Sequence, residues 1–167
     1  MDFSASVTPV FFVLLSVIAS CSSLSVTSCG SSDVIRVNKL DLRPSKLQGG
    51  QPATLHGEWE ILGDIKQPIR AETRIFKEMF FGIRIQIPCS NNGGSRAEFG
   101  SCTYNDTCQL LKSSSSLCDF SKGVHQGDLN FKVPSGGFLT GNYDLELKVS
   151  DGNGRQLGCW KATVGLQ

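Results

Sequence analysis

Seven cysteines in a chain of 167 residues constrain this sequence more than any other feature. Six of them, Cys29, Cys89, Cys102, Cys108, Cys118 and Cys159, follow an apolar leader, and Cys21 sits at the leader's edge. An even set behind a secretion signal reads as a disulfide framework formed in an oxidising compartment. Successive spacings of 60, 13, 6, 10 and 41 lack the close pairs that structural zinc sites favour, so the cysteines point away from metal. Pairing also removes them as catalytic groups. Sequence alone leaves the connectivity open.

The leader is the apolar run Val10–Ile18, too short to span a bilayer as a helix, followed by the small residues Ala19 to Ser25. It reads as a secretory signal peptide over 1–19, with cleavage just after Ala19 or as late as Ser25. The stretch Ile18-Ala19-Ser20-Cys21 also resembles a bacterial lipoprotein box, but the start carries Asp2 and no base. Residues 20–167 then form one domain by length. A net formal charge of +1 argues against nucleic-acid binding and gives little electrostatic steering.

Alternation dominates the mature part. Leu55, Trp59 and Ile61 share one strand face against Thr54, His56, Glu58 and Glu60. Ile83, Ile85 and Ile87 oppose Arg84 and Gln86; Leu129, Phe131 and Val133 oppose Asp128, Asn130 and Lys132. Tyr143, Leu145, Leu147 and Val149 oppose Asn142, Asp144, Glu146 and Lys148. Period two over so many segments predicts half-buried antiparallel strands. Asp151-Gly152-Asn153-Gly154 supplies a hairpin turn, because Gly and Asn tolerate positive φ. Seven or eight such strands predict an all-β sandwich. The loop region at about 90–127 holds four cysteines and few apolar residues, so crosslinks must order it; a short helix there falls at Asp106–Lys112.

No residue pattern supports catalysis. His56 alternates onto a polar strand face and His125 approaches another strand; both read as solvated surface residues. Asn105-Asp106-Thr107 is a glycosylation sequon in a polar loop. The apolar loops matter more. Phe76, Met79, Phe80 and Phe81 cluster before Gly82, and Phe138-Leu139 sit in the loop PSGGFLTGN. Apolar loop tips mark a partner, a ligand mouth or a membrane contact.

Three segments together carry a resemblance. IPCSNNGGSRAEFGSCTYNDTCQLL, FLTGNYDLELKVSDGNGRQLGCWKATVGL and CGSSDVIRVNKLDLRP resemble stretches of the sphingolipid-activator branch of the lipid-recognition (ML) family. The resemblance runs from Cys29 to Leu166, with Pro52–Arg74 matching in pattern only. It implies an immunoglobulin-like β-sandwich whose sheets splay around an apolar lipid cavity, with no cofactor and no enzyme activity. It also implies the pairs Cys29–Cys159, Cys89–Cys102 and Cys108–Cys118. The first closes nearly the whole chain, a constraint on the order of 5 kcal/mol in the chain-entropy model.

The activators carry one more disulfide, and their two loop tryptophans fall at Arg84 and Phe138 here, so the mouth is apolar but rebuilt. The function implied is a secreted or lysosomal protein that extracts a (glyco)sphingolipid or phospholipid and presents it to a hydrolase, such as a lysosomal glycosidase. A sterol or lipid-signal carrier acting through a receptor is the alternative within the family, and a cavity-free binding module the alternative outside it. The cavity candidates are Trp59, Ile61, Ile75, Ile83, Ile85, Phe131, Tyr143 and Leu145. The candidates for the mouth and membrane contact are Phe80, Phe81, Phe138 and Leu139. A slip of one residue in register would exchange these faces.

Overall fold

A computed structural model describes residues 24–30, 34–90, 100–110, 118–136 and 140–167. The leader 1–19 with Cys21, and the loop pair Phe138-Leu139, lie outside the described residues. The protein is an all-β sandwich of two antiparallel sheets, with an immunoglobulin-like arrangement.

The described strands number nine, because two very short ones join the expected set. They are β1 (Val26–Ser28), β2 (Ile35–Arg43), β3 (Pro52–Ile61), β4 (Arg70–Glu78), β5 (Arg84–Gln86), β6 (Thr103–Tyr104), β7 (Gly123–Lys132), β8 (Gly141–Ser150) and β9 (Gln156–Leu166). A single helical turn, α1, spans Thr107–Leu110, inside the range expected from sequence. The small sheet has the order β2-β3-β7; the large one runs β1-β9-β8-β4-β5, with β6 also on β4. The β1 side of the large sheet meets β2, through Leu24 N–H donating to Leu40 O at 3.3 Å. At the opposite side Phe131 of β7 rests on the core that holds Ile75 of β4, while Ile85 of β5 stays exposed.

The pairing keeps the alternating apolar faces together. Ile75 sits opposite Leu145, Leu145 opposite Ala162, and Tyr143 opposite Val164, so one row of apolar side chains crosses the large sheet. In the small sheet Leu55 is flanked by Leu42 and Leu129, and Trp59 by Val37 and His125. A bulge between Val37 and Lys39 inserts Asn38, which turns Leu40 and Leu42 onto the face already used by Ile35 and Val37.

One end of the sandwich packs tightly. Leu42, Leu47, Ala53, Ile75, Val133, Tyr143 and Leu166 form a contiguous buried core, against which Ile87 and Phe131 also rest. Leu47 bridges Leu166, and Gln167 N–H donates to Leu47 O at 2.9 Å, which seals this end. At the other end Ile61, Leu157 and Cys159 are buried to 1 %, 0 % and 1 % exposure. All three expected disulfides are formed, and Cys29–Cys159 binds β9 to the segment after β1 across a sequence separation of 130.

Asp151 is the buried acid that builds the β8–β9 turn. Its Oδ1 accepts from the backbone N–H groups of Asn153 and Arg155, each at 3.0 Å, and Oδ2 accepts from Arg155 Nε at 3.2 Å. Arg155 also donates to Asp64 O, tying the turn to the neighbouring loop. Burial pushes the Asp151 carboxyl up, but the two backbone N–H groups and the Arg155 guanidinium outweigh it and hold it below its ordinary value of 3.8. A carboxyl depressed in the folded state stabilises above its unfolded pKa, and that stability disappears as pH falls through the folded value. In acid titration followed by circular dichroism, Asp151→Asn is therefore expected to lower the melting temperature at pH 5–7. It should also flatten the loss of stability seen below roughly pH 4.

Candidate functional site

Between the packed ends lies a cavity of about 360 Å³ bounded by both sheets. From the small sheet Val37, Leu40, Leu55, Trp59 and Leu129 line it; from the large sheet Ala71, Leu145, Leu147, Val149, Trp160 and Ala162 do. Phe120, just before β7, and Thr107 of α1 complete the side under β7. The walls are hydrocarbon and indole. The two ionisable residues at its margin have partners elsewhere: Lys161 Nζ pairs with Glu146 Oε2 at 3.4 Å, and Glu58 Oε1 accepts from Asn38 Nδ2 at 3.5 Å. Thr107 Oγ1 is likewise occupied, donating to Ile69 O at 3.2 Å.

The space exists because glycines replace side chains at inward positions. Gly57 and Gly127 are direct cross-strand partners and both face the cavity. A Cβ on Gly57 would stand 3.2 Å from Leu40 Cδ2 and 3.6 Å from Trp59 Cε3, so the Trp59 indole lies over that glycine. Across the cavity the arrangement repeats. A Cβ on Gly158 would overlap Cη2 and Cζ2 of Trp160, whose indole occupies the missing side chain's place. Two tryptophans thus lie down along their strands at the same end of the cavity. They are the only two in the chain. Leu129 and Leu147 point inward yet remain 36 % and 37 % exposed, so solvent reaches the interior between the sheets.

Trp59 also stacks on His125, with ring centroids 6.1 Å apart and planes at 17°. His125 Nε2 donates to Ser121 O at 2.7 Å, and Nδ1 is 3.9 Å from Asp119 Oδ2. With 12 % of its side chain exposed, His125 supports the cavity wall instead of standing in solvent as the sequence suggested. The pairing of β7 to β3 turns it inward beside Trp59. His56 does lie on an outer face, where Nδ1 meets Asp128 Oδ1 at 2.6 Å.

The remaining residues singled out from sequence divide by position. Trp59 and Leu145 line the cavity. Ile75, Phe131 and Tyr143 belong to the packed end, where burial pushes the Tyr143 phenol above its usual 10.0. Ile61 is buried at the opposite end. Ile83 and Ile85 follow the inward alternation, but the narrow sheet does not reach over β5, and they stay 60 % and 48 % exposed. Phe80 and Phe81 form a 3-10 turn at the β4–β5 tip, beyond the packed end and off the cavity wall. Asn105 is exposed at the start of α1. Leu40, Leu147 and Trp160 were not among the candidates: the bulge in β2 hides the first, Leu147 shares the alternating face of Leu145, and only the pairing of β9 with β8 reveals Trp160.

A family model of the ML domain matches residues 23–166. The chain belongs to the ML-domain family. Members are lipid-binding proteins without catalytic activity of their own. Among solved structures the domain is similar to a Niemann-Pick type C2 protein from Japanese carpenter ant, at 11 % identity and a TM-score of 0.48 over 86 % of this chain and 99 % of that one. It is also similar to the C-terminal domain of wzt, at 10 % identity and a TM-score of 0.43 over 86 % and 78 %. A further likeness is to the alkylpurine DNA glycosylase AlkC of Pseudomonas fluorescens, at 12 % identity and 0.42 over 84 % of this chain and 32 % of that one. No curated protein matches the sequence.

Because both tryptophans face the cavity of this ML domain, its tryptophan emission reports on the cavity. In a Trp59→Phe background, Gly158→Ala is expected to shift the Trp160 emission as the new methyl lifts the indole into the cavity. Stability should fall by about 1–3 kcal/mol, as for other overpacked interiors. Unchanged emission would mean that the indole does not rest on Gly158.

Proposed function

We propose that this ML domain is a lipid-binding and lipid-transfer protein that shelters a hydrocarbon chain between its sheets and leaves the polar head at the surface. The observation that carries this reading is the cavity itself, apolar on both walls and close to the lower end of the range for small-ligand pockets, roughly 300–1,000 Å³. Each methylene transferred from water into it is worth about 0.8 kcal/mol, so a chain is retained firmly yet exchanges with a bilayer. The lipid class proposed is a phospholipid or (glyco)sphingolipid with one chain inserted. The protein performs no chemistry and hands its cargo to an acceptor or, in the activator-like form, to a hydrolase such as a lysosomal glycosidase. A secreted or lysosomal setting accords with the disulfides and with a glycan on the exposed Asn105.

A second reading is favoured by the two indoles. Trp59 and Trp160 present flat aromatic faces at one end of the cavity, a shape suited to the rigid rings of a sterol. Native mass spectrometry of the secreted protein, followed by titration with a sterol and with a single-chain phospholipid, separates the two. The expected result is one bound molecule per protein and a saturable change in tryptophan emission. The species that saturates at lower concentration names the cargo. A protein that carries no lipid and takes none from liposomes would overturn both readings.

The β4–β5 tip is proposed as the membrane contact. Phe80 and Phe81 are 84 % and 101 % exposed, and Phe81 holds φ 64°, a left-handed conformation costing about 1–2 kcal/mol for a side-chain-bearing residue. Phe80→Ser combined with Phe81→Gly is expected to reduce extraction from vesicles about tenfold or more. It should leave binding of monomeric lipid intact, since the tip is not part of the cavity wall. Equal loss in both assays would sink the separation of the two roles.

A further inference from the structure

The two sheets differ in width, and the difference leaves a place for one more strand. In the small sheet β7 is an edge, and it pairs with β3 over ten consecutive residues without a bulge. Other edges among the described residues are short or blunted. β1 and β5 have three residues each, and β2 is bulged and carries Arg36, Lys39 and Arg43. Long unbulged edges offer a row of backbone donors and acceptors that an incoming strand can pair with.

Directly beyond β7 the large sheet projects as β5, and the inward-facing Ile83 and Ile85 have no strand above them. Ile87, the next residue in that alternation, does reach the packed core. A strand laid along the outer edge of β7 would therefore rest on this apolar shelf and cover the solvent-exposed flank beside Leu129. On the outer face of β7 the middle of the edge carries Asp128, whose Oδ1 meets His56 Nδ1 at 2.6 Å on the β3 side while 58 % of its side chain stays exposed.

We propose that the outer edge of β7 binds an extended segment of a partner protein by strand addition. The segment would alternate apolar residues facing Ile83 and Ile85 with polar ones facing out, and carry a Lys or Arg opposite Asp128. Main-chain hydrogen bonds supply affinity in this mode and alternate side chains supply selectivity. A second copy of this chain fits less well, because joining β7 to β7 would drive the projecting β5 of each copy into β4 and β6 of the other. A lone strand meets no such obstruction.

The probe is an acetylated, amidated peptide of about ten residues alternating valine and threonine, with a lysine at its centre. Binding is followed by fluorescence anisotropy and by hydrogen exchange of the intact chain. The expected result is protection of alternate amides within Gly123–Lys132. Binding should be lost on N-methylating one set of alternate peptide residues and kept on N-methylating the other. Ile85→Lys, a change at an exposed position, should weaken binding roughly tenfold, with an unchanged circular dichroism spectrum. Three results would overturn the proposal: no binding up to about 1 mM peptide, binding indifferent to both N-methyl sets, or β7 protection that rises with protein concentration without peptide. The last would assign the edge to a second copy.

Discussion

The cavity depends on a single packing device used twice. At Gly57 and at Gly158 the strand offers no side chain, and the indole two residues further on lies over the gap. An indole lying along its strand covers backbone without filling the space between the sheets, whereas an upright one at either position would meet the opposite wall. Interiors of folded domains normally reach the density of organic crystals, so an unfilled middle needs rigid surroundings to persist. Here the rigidity comes from the two ends. One is a packed apolar core that includes Tyr143 and Ile75, the other the buried side chains of Ile61, Leu157 and Cys159, the last crosslinked to the exposed Cys29.

That division explains why the covalent framework is placed where it is. The first disulfide holds β9 to the chain beside β1, at the end where few apolar side chains are available. Cys89–Cys102 fixes the return from β5 toward β6, and Cys108–Cys118 joins α1, on the edge of the large sheet, to the approach to β7 in the small one. The sheets can therefore stay apart in the middle while being held at the margins. Asp151 plays the equivalent polar role in the β8–β9 turn, where its carboxylate adds three hydrogen bonds to the backbone bonds Asp151 makes with Arg155 and Gly154.

Much of this was legible in the residues. Period-two alternation in β3, β7 and β8 gave the sandwich and the inward faces, since Leu55, Trp59, Leu129, Leu145 and Leu147 all turned inward together. The cysteine framework and the family resemblance gave the crosslinks. What alternation did not reveal was depth along the strand. Ile75, Tyr143 and Phe131 obey the same pattern as Leu145, yet they pack into the closed end, because loop 44–51 brings Leu47 down onto them. Ile83 and Ile85 obey it too and remain exposed, because only three strands face six. His125 shows the converse: a polar residue in a Gly-rich stretch is drawn inward by its pairing with Trp59.

The sequence by itself therefore determined the class of fold and the sidedness of each strand, since both follow from local periodicity and from where turns and cysteines fall. Tertiary structure decided which inward residues close the core, which line a cavity and which overhang its edge. Those outcomes depend on sheet width, on a one-residue bulge at Asn38 and on the orientation of two indoles over glycines. None of these is a property of a residue or of its neighbours in sequence. Each arises only when separate strands are set against one another.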